Sequence, residues 1–198
     1  MRCAQQGDGA NRDWDVLIIA GASGCGKSGV ARALARFYGV DIVAVDDFQV
    51  LLNAMTTPQT LAPLHYWNTH PNWANEAIEA TVGQLIDVGK ALMPGLAAVI
   101  NNHLQEKAPM ILEGDFILPQ LCAMFKNSPV QALCIYEGEK QQIVENYRRR
   151  EGSVQEHRAT VSCAYGKWLK QQCEHYHLPV IASRPWESVL QRSIAALQ

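Results

Sequence analysis

The segment from Val16 to Tyr38 restricts the possible folds of this chain more than any other part of the sequence. A run of branched apolar residues, Val16-Leu-Ile-Ile-Ala20, leads directly into the glycine-rich stretch Gly21-Ala-Ser-Gly-Cys-Gly-Lys27-Ser28. Apolar residues then recur at helical spacing, and Gly39 is typical of a residue that ends a helix. The pattern predicts a strand buried in a parallel sheet, followed by a tight loop and a helix.

The loop matches the pattern G-x-x-x-x-G-K-[ST] at every required position, between a predicted strand and a predicted helix. Glycines let backbone N–H groups surround phosphate oxygens, the helix N-terminus adds a positive dipole end, the lysine reaches the β- and γ-phosphates, and the hydroxyl holds magnesium. We therefore expect ATP and Mg²⁺ as cofactors, and Lys27 also as a catalytic residue. The predicted nucleotide-binding residues of the loop are Gly21, Ala22, Ser23, Gly24, Cys25, Gly26, Lys27, Ser28 and Gly29.

Four more short apolar runs alternate with helical patterns along the rest of the chain. The runs cover residues 42–45, 109–113, 130–136 and 179–182, and the helical patterns cover 75–88, 92–106, 139–151, 154–175 and a last segment to about 197. This alternation predicts an α/β fold, a five-stranded parallel sheet with helices on both faces. We expect a polar leader at residues 1–14 and a single domain at residues 15–198. The irregular segment 51–75 is long enough to be functional.

Composition limits the classes of partner. The net charge is −2, so the chain offers no broad cationic surface for nucleic acid. No unbroken apolar segment predicts a membrane span, and the N-terminal residues do not form a secretion signal, so a cytoplasmic protein is expected. The six cysteines lack CxxC spacing and are predicted to be free thiols.

Acidic residues follow the second apolar run, where the carboxyl end of a strand should lie beside the phosphate loop. Asp46 is predicted to be the base that accepts the proton of a substrate hydroxyl, and Asp47 a magnesium or substrate ligand. Phe48 is predicted to contact the substrate. The roles of the two aspartates could be reversed. Alternatively, both cap a following helix or coordinate magnesium through water in a nucleotide-hydrolysing protein.

A second acidic pair, Glu113 and Asp115, follows the third apolar run. Glu113 is predicted to orient magnesium through water or to contact the acceptor, which gives Ser28, Asp47 and Glu113 as the magnesium set. Asp115 is equally well interpreted as the cap of a helix that begins near Leu118.

The runs GASGCGKS, VDDF, ILEGDFILP and AYGKWLKQQCEHYHLPVIASRPW resemble the P-loop small-molecule kinases, and within them the bacterial 2-phosphoglycerate-kinase-like proteins. The resemblance covers most of the chain from Asp15 onward. The acidic motifs are also similar to those of uridine-kinase-like, nicotinamide-riboside-kinase-like and chloramphenicol-phosphotransferase-like enzymes. The resemblance implies a three-layer P-loop NTPase fold with sheet order 2-3-1-4-5 and Asp46 as the base. It also implies an acceptor-binding insertion at about 51–108 and a mobile lid at about 146–160.

By the same resemblance, Arg148, Arg149, Arg150 and Arg158 are candidates for a lid arginine. Such a residue would stabilise the charge on the transferring phosphoryl group, whereas any one of them could instead lie on a solvated helix face. Arg184 and Trp186 lie where a related kinase packs the adenine ring, although Trp186 could equally fill the core.

The aromatic residues of the irregular segment are candidates for an acceptor pocket. Trp67 is the predicted substrate contact, together with Tyr66 and Trp73 and with His65 and His70 nearby. The alternative is a packed loop with surface histidines.

These residues predict an ATP- and Mg²⁺-dependent phosphotransferase that acts on a hydroxyl of a small molecule. The alternative is a nucleotide-dependent regulatory ATPase or switch without an acceptor. Phosphorylation of a nucleic-acid end fits the motifs but not the charge. The identity of the acceptor and the oligomeric state stay open.

Overall fold

A parallel sheet forms the centre of the protein. The computed structural model describes residues 10–198. The strands are β1 (Val16–Ala20), β2 (Asp41–Ala44), β3 (Met110–Gly114), β4 (Val130–Tyr136) and β5 (Val180–Ala182). They pair in parallel in the order β2-β3-β1-β4-β5, which confirms the predicted sheet.

Helices surround the sheet on both faces. They are α1 (Lys27–Tyr38), α2 (Val45–Met55), α3 (Tyr66–Thr69), α4 (Ile78–Glu106), α5 (Pro119–Ala123), α6 (Lys140–Glu151), α7 (Glu156–His175) and α8 (Val189–Ala195). Short 3₁₀ helices cover Ala62–His65, Trp73–Asn75 and Trp186–Ser188.

Alternate residues of β1 point into two separate apolar layers. Val16 and Ile18 pack with α4 and α7, whereas Leu17 and Ile19 pack with α1 and α8. All four side chains are fully buried, as expected for the central strand of a sheet that is covered on both faces. The rigid β1 therefore fixes the position of the loop that follows it.

Helix α4 corrects the prediction of two helices at residues 75–88 and 92–106. It is one continuous helix of 29 residues with Pro94 inside it. Proline cannot donate a hydrogen bond to the residue four positions earlier, Lys90. Both Pro94 and Lys90 are exposed, so the carbonyl left without its helical bond lies on the solvent side.

Helix α4 is also long and apolar enough to cross a membrane by length and composition alone, with a mean hydropathy of 1.2 in its best window. It does not indicate a membrane protein, because Val88, Leu92, Leu96 and Ile100 are buried in the core between the sheet and α7.

Helix α2 corrects the expected end of the second strand. Strand β2 ends at Ala44, and α2 begins at Val45, so Asp46 and Asp47 lie in the first turn of a helix. Carboxylates are favourable there because the helix dipole is positive at its N-terminus. The helix extends to Met55, which shortens the irregular segment predicted from residue 51.

The end of the predicted leader packs against the domain. Trp14 is buried and its ring contacts that of Tyr38 edge-on, with centroids 5.1 Å apart. Residues 1–9 of the leader, including Cys3, lie outside the described part of the chain. The five described cysteines are free thiols, as predicted.

Two glycines of α4 provide a matched test of the packing. A Cβ at Gly89 would lie 2.7 Å from Leu118 and 2.8 Å from a backbone oxygen, whereas a Cβ at Gly83 would meet nothing within 4 Å. We expect Gly89→Ala to lower the free energy of unfolding by about 1–3 kcal/mol. Gly83→Ala should raise it by about 0.5–1 kcal/mol, because alanine favours the helix. Urea unfolding measures both changes, and equal stability of the two variants would contradict the packing described here.

Candidate active site

The glycine-rich loop leaves β1 and enters α1 through backbone conformations that favour glycine. Gly24 and Gly26 have φ angles of 78° and 95°, in the left-handed region. Cys25, between them, is buried, and burial raises the pKa of its thiol to about 11, so the thiol stays neutral. The loop therefore directs backbone groups and the N-terminus of α1 to one place, as a phosphate site requires.

The functional side chains of the loop contact the acidic pair that follows β3. The Lys27 ammonium group is buried and forms an ion pair with Asp115. The Ser28 hydroxyl donates a hydrogen bond to Oε2 of Glu113 at 3.1 Å. Burial by itself lowers the pKa of Lys27, but the Asp115 carboxylate outweighs it and the net shift is upward. Lys27 is therefore charged at every ordinary pH.

Asp46 and Glu113 belong to the same electrostatic cluster. The pKa of Asp46 is raised by loss of solvent and then by the charge of Asp115, although the residue is exposed at the rim of the cluster. The pKa of Glu113 is also raised by burial, and Lys27 opposes this shift. A carboxylate with a raised pKa is a stronger proton acceptor than an ordinary one.

A cavity of about 350 Å³ lies over the loop, and we call it the P-loop cavity. Its lining beyond the loop includes Arg32, Asn146, Arg149, Arg150, Arg184 and Trp186. The Trp186 ring lies so close to the loop that a Cβ at Gly26 would be 2.8 Å from it. Trp186 is partly exposed and forms a wall of this cavity, with the Arg184 guanidinium 5.9 Å from the ring centroid.

A second cavity, of about 290 Å³, adjoins the loop at Ser23. Its apolar wall is formed by Trp67, Trp73, Leu85, Phe116 and Val161. Its polar lining is formed by Ser23, Thr81, Asp115, Arg158, Ser162 and Tyr165. Because Asp115 also pairs with Lys27, the second cavity and the phosphate loop meet at this carboxylate.

Comparison with solved structures identifies the fold. Shikimate kinase from Acinetobacter baumannii in complex with shikimate matches with a TM-score of 0.54 and 13% identity, over 92% of this chain and 94% of that chain. The protein TT1252 from Thermus thermophilus matches with a TM-score of 0.58 and 14% identity, over 92% of this chain and 95% of that chain. This chain has the predicted three-layer P-loop NTPase fold, with a five-stranded parallel sheet of order 2-3-1-4-5 and helices on both faces. At these identities the likeness establishes the fold alone. No protein-family model matches the sequence, and no curated protein does.

The four lid candidates have different surroundings in this fold. Arg148 and Arg149 are exposed and pair with Glu145, and of these two only Arg149 lines the P-loop cavity. Arg150 also lines that cavity and pairs with Glu151.

The fourth candidate, Arg158, faces the second cavity. It pairs with Glu151, lies 4.4 Å over the Tyr147 ring, and reaches Ser23 Oγ at 3.4 Å. Arg158 therefore lies at the second cavity, whereas Arg149 and Arg150 line the P-loop cavity.

The aromatic segment forms part of a cavity wall and also packs against itself, and its His65 is buried rather than on the surface, as the packed-loop alternative had it. Trp67 and Trp73 meet edge-on, with centroids 5.2 Å apart, on the wall of the second cavity. The histidines instead hold the segment together: His65 Nε2 lies 2.9 Å from Thr56 Oγ1, and His70 stacks on Tyr66.

Four predicted substrate residues, Asp46, Asp47, Phe48 and Glu113, are not among the residues that line the two cavities. Asp46 and Asp47 are exposed, Glu113 is partly buried, and Phe48 packs against the core. Their contact with a substrate stays a prediction.

Sequence reasoning missed two contributors to this site. Asp115, which the sequence indicates equally well as a helix cap, contacts Lys27 and lines the second cavity. The adjacency of β1 and β3 could have indicated this role, because Ala20 pairs with Gly114, the residue before Asp115. Asn146 was not considered; its side-chain amide donates to the Gly24 carbonyl at 2.8 Å and ties α6 to the loop.

Proposed function

We propose that this chain transfers the γ-phosphoryl group of ATP, with Mg²⁺, to a hydroxyl of a small molecule. The observation that carries the proposal is the junction of two cavities at the Lys27–Asp115 pair. A protein that only hydrolyses nucleotide needs the P-loop cavity. A second, mostly apolar cavity with a few polar groups is typical of a site for an organic ligand, which favours transfer over a regulatory ATPase.

The donor side of the reaction is assigned to the loop and its neighbours. Backbone N–H groups of the loop and Lys27 hold the phosphates, and Arg149 or Arg150 adds positive charge from α6. The predicted lid at about 146–160 contains both arginines, and Gly152 at the end of α6 has a φ of 74°, suited to a sharp turn between α6 and α7.

Magnesium fits the donor set of this site. The Ser28 hydroxyl and the Glu113 carboxylate are oxygen ligands of the kind this ion prefers, and they lie together. Residues 10–198 contain no group of three or more His, Cys, Asp or Glu able to hold a metal ion. This agrees with an ion that takes most of its ligands from phosphate and water, and when bound it neutralises charge on the phosphates.

On the acceptor side, Asp46 is assigned to accept the proton of the attacking hydroxyl. Its pKa is raised, which makes its carboxylate a better base. Asp115 is assigned to orient the hydroxyl, because it lines the second cavity. In the empty site Asp115 is bound to Lys27, and ATP phosphates compete for the same ammonium group. Nucleotide binding would thus release the carboxylate that the acceptor needs.

The proposal is tested by the formation of ADP with and without hydroxyl compounds. We expect at least one compound in a panel of nucleosides, sugars, sugar acids and antibiotics to raise ADP formation by about tenfold or more, since an aligned acceptor replaces a poorly placed water. Lys27→Ala is the blank. Lys27-dependent hydrolysis that no hydroxyl compound changes, but a protein partner stimulates, would favour the regulatory ATPase instead.

A stacking role for Trp186 gives a separate prediction. Trp186→Ala should weaken MgATP binding by about 1–3 kcal/mol, the usual contribution of a base on an aromatic ring. Trp186→Phe is the matched control and should retain most of the affinity. Calorimetric titration measures both, and wild-type affinity in the alanine variant would show that the base binds elsewhere.

A further inference from the structure

The second cavity is lined mostly by uncharged residues. Only two of its lining residues are charged, Asp115 and Arg158, and both have partners. Asp115 pairs with Lys27. Arg158 Nη1 lies 3.1 Å and 2.9 Å from the two carboxylate oxygens of Glu151. The rest of the lining is apolar or carries neutral hydroxyl groups.

The remaining contacts of Arg158 hold it in this arrangement. Its guanidinium group stacks 4.4 Å over Tyr147, and Nη2 reaches Ser23. The Glu151 carboxylate has its pKa lowered to about 2, by a hydrogen bond from Gln155 and by its arginine partners. Glu151 is therefore ionised across the physiological range and stays paired with Arg158, and it pairs with Arg150 as well.

Binding of an anionic ligand in the second cavity would become less favourable once nucleotide binds at the loop. ATP phosphates would compete with Asp115 for Lys27, and the Asp115 carboxylate, which lines the cavity, would then lose this partner. A carboxylate or phosphate on the acceptor would then meet a like charge in a partly dehydrated space.

The walls of the cavity suit a flat apolar group. Trp67, Trp73, Leu85 and Phe116 present rings and an aliphatic side chain, and the polar groups Ser23 and Asp115 lie where the cavity meets the loop. The volume of about 290 Å³ is near the lower limit for ligand pockets and suits one or two rings.

We propose that the acceptor is an uncharged compound in which a flat ring system packs against the wall formed by Trp67 and Trp73 and a hydroxyl group reaches Asp115. This inference rests on the proposed phosphotransferase function. It disfavours 2-phosphoglycerate, after which the proteins that the sequence resembles are named, because this compound carries several negative charges and has no ring.

The test measures ligand binding to the full chain with its nucleotide site saturated by a non-hydrolysable ATP analogue and Mg²⁺. The probes are uridine and chloramphenicol as uncharged ring compounds, with 2-phosphoglycerate, gluconate and uridine 5′-phosphate as anions. We expect at least one uncharged probe to bind about 100-fold more tightly than every anion, the scale of a like-charge contact. Tighter binding of any anion, or no binding of either uncharged probe, overturns the proposal.

A charge variant adds a second readout. Glu151→Gln removes the carboxylate that Arg158 shares with Arg150. Because only Arg158 lines the second cavity, its freed guanidinium should bind the phosphate there and reduce the preference for uridine over uridine 5′-phosphate by about tenfold. Glu174→Gln, the same change at an exposed pair with Lys170, should leave the preference unaltered. An unchanged preference in Glu151→Gln contradicts the proposal.

Failure of the inference is distinguishable from failure of the proposed function. If an anion is phosphorylated in a Lys27-dependent reaction, the phosphotransferase function stands and the uncharged acceptor is wrong. If an uncharged ring compound binds with the expected preference but no hydroxyl compound is phosphorylated, the ligand class stands and the phosphotransferase function is wrong.

Discussion

Lys27→Ala is expected to lower kcat/KM for MgATP by about 10²–10³-fold or more, the usual effect of removing one group that stabilises transition-state charge. The effect should be at least this large, because Lys27 is buried at the junction of the P-loop cavity and the second cavity and remains charged. Steady-state ADP formation and titration with an ATP analogue measure turnover and affinity separately.

The matched control is Lys167→Ala, the same change at an exposed residue of α7. It should retain the activity of the wild-type protein. Circular dichroism checks that the Lys27 variant is folded, since this change also removes the partner of Asp115. A folded Lys27→Ala protein with wild-type turnover would contradict the assigned role of the loop.

Asp46→Asn is expected to lower kcat by about 10²–10⁴-fold, the contribution of a general base, while MgATP affinity changes little. The pH dependence gives a second readout. The base is active when deprotonated, so kcat/KM of the wild-type protein should fall as the pH decreases through the raised pKa of Asp46. The fall in kcat/KM should occur at a higher pH than the titration of an ordinary aspartate. It should be absent from the small residual activity of Asp46→Asn.

Asp47→Asn tests the other assignment of the acidic pair. The structure favours Asp46, because its pKa is raised by loss of solvent and by the charge of Asp115, although Lys27 opposes the shift. If Asp47→Asn abolishes turnover and Asp46→Asn does not, the two roles are reversed.

The sheet and the nucleotide loop could be predicted from sequence because their signals are local. The apolar run of β1, the loop glycines and the helical spacing of α1 lie within residues 16–38, and β1 is fully buried. Proline is uncommon inside a helix, yet Pro94 lies within α4, where the sequence predicted two separate helices. The helix tolerates it because the side of α4 that loses the hydrogen bond is exposed, a fact that only the packing reveals.

The second cavity could not be predicted because its parts come from distant places in the chain. Trp67 and Trp73 meet through the packing of an irregular segment, and Arg158 arrives from the start of α7. Asp115 is an intermediate case. The sequence shows an acid after a strand, but its contact with Lys27 depends on β3 lying next to β1.

The most direct test of the account follows the phosphoryl group itself. The protein is incubated with Mg²⁺ and ATP that carries ¹⁸O in its γ-phosphoryl group, together with the panel of hydroxyl compounds, and the products are analysed by mass spectrometry. We predict a product that is heavier than one acceptor by one labelled phosphoryl group and that is absent with Lys27→Ala. Label found only in inorganic phosphate across the whole panel would contradict a phosphotransferase.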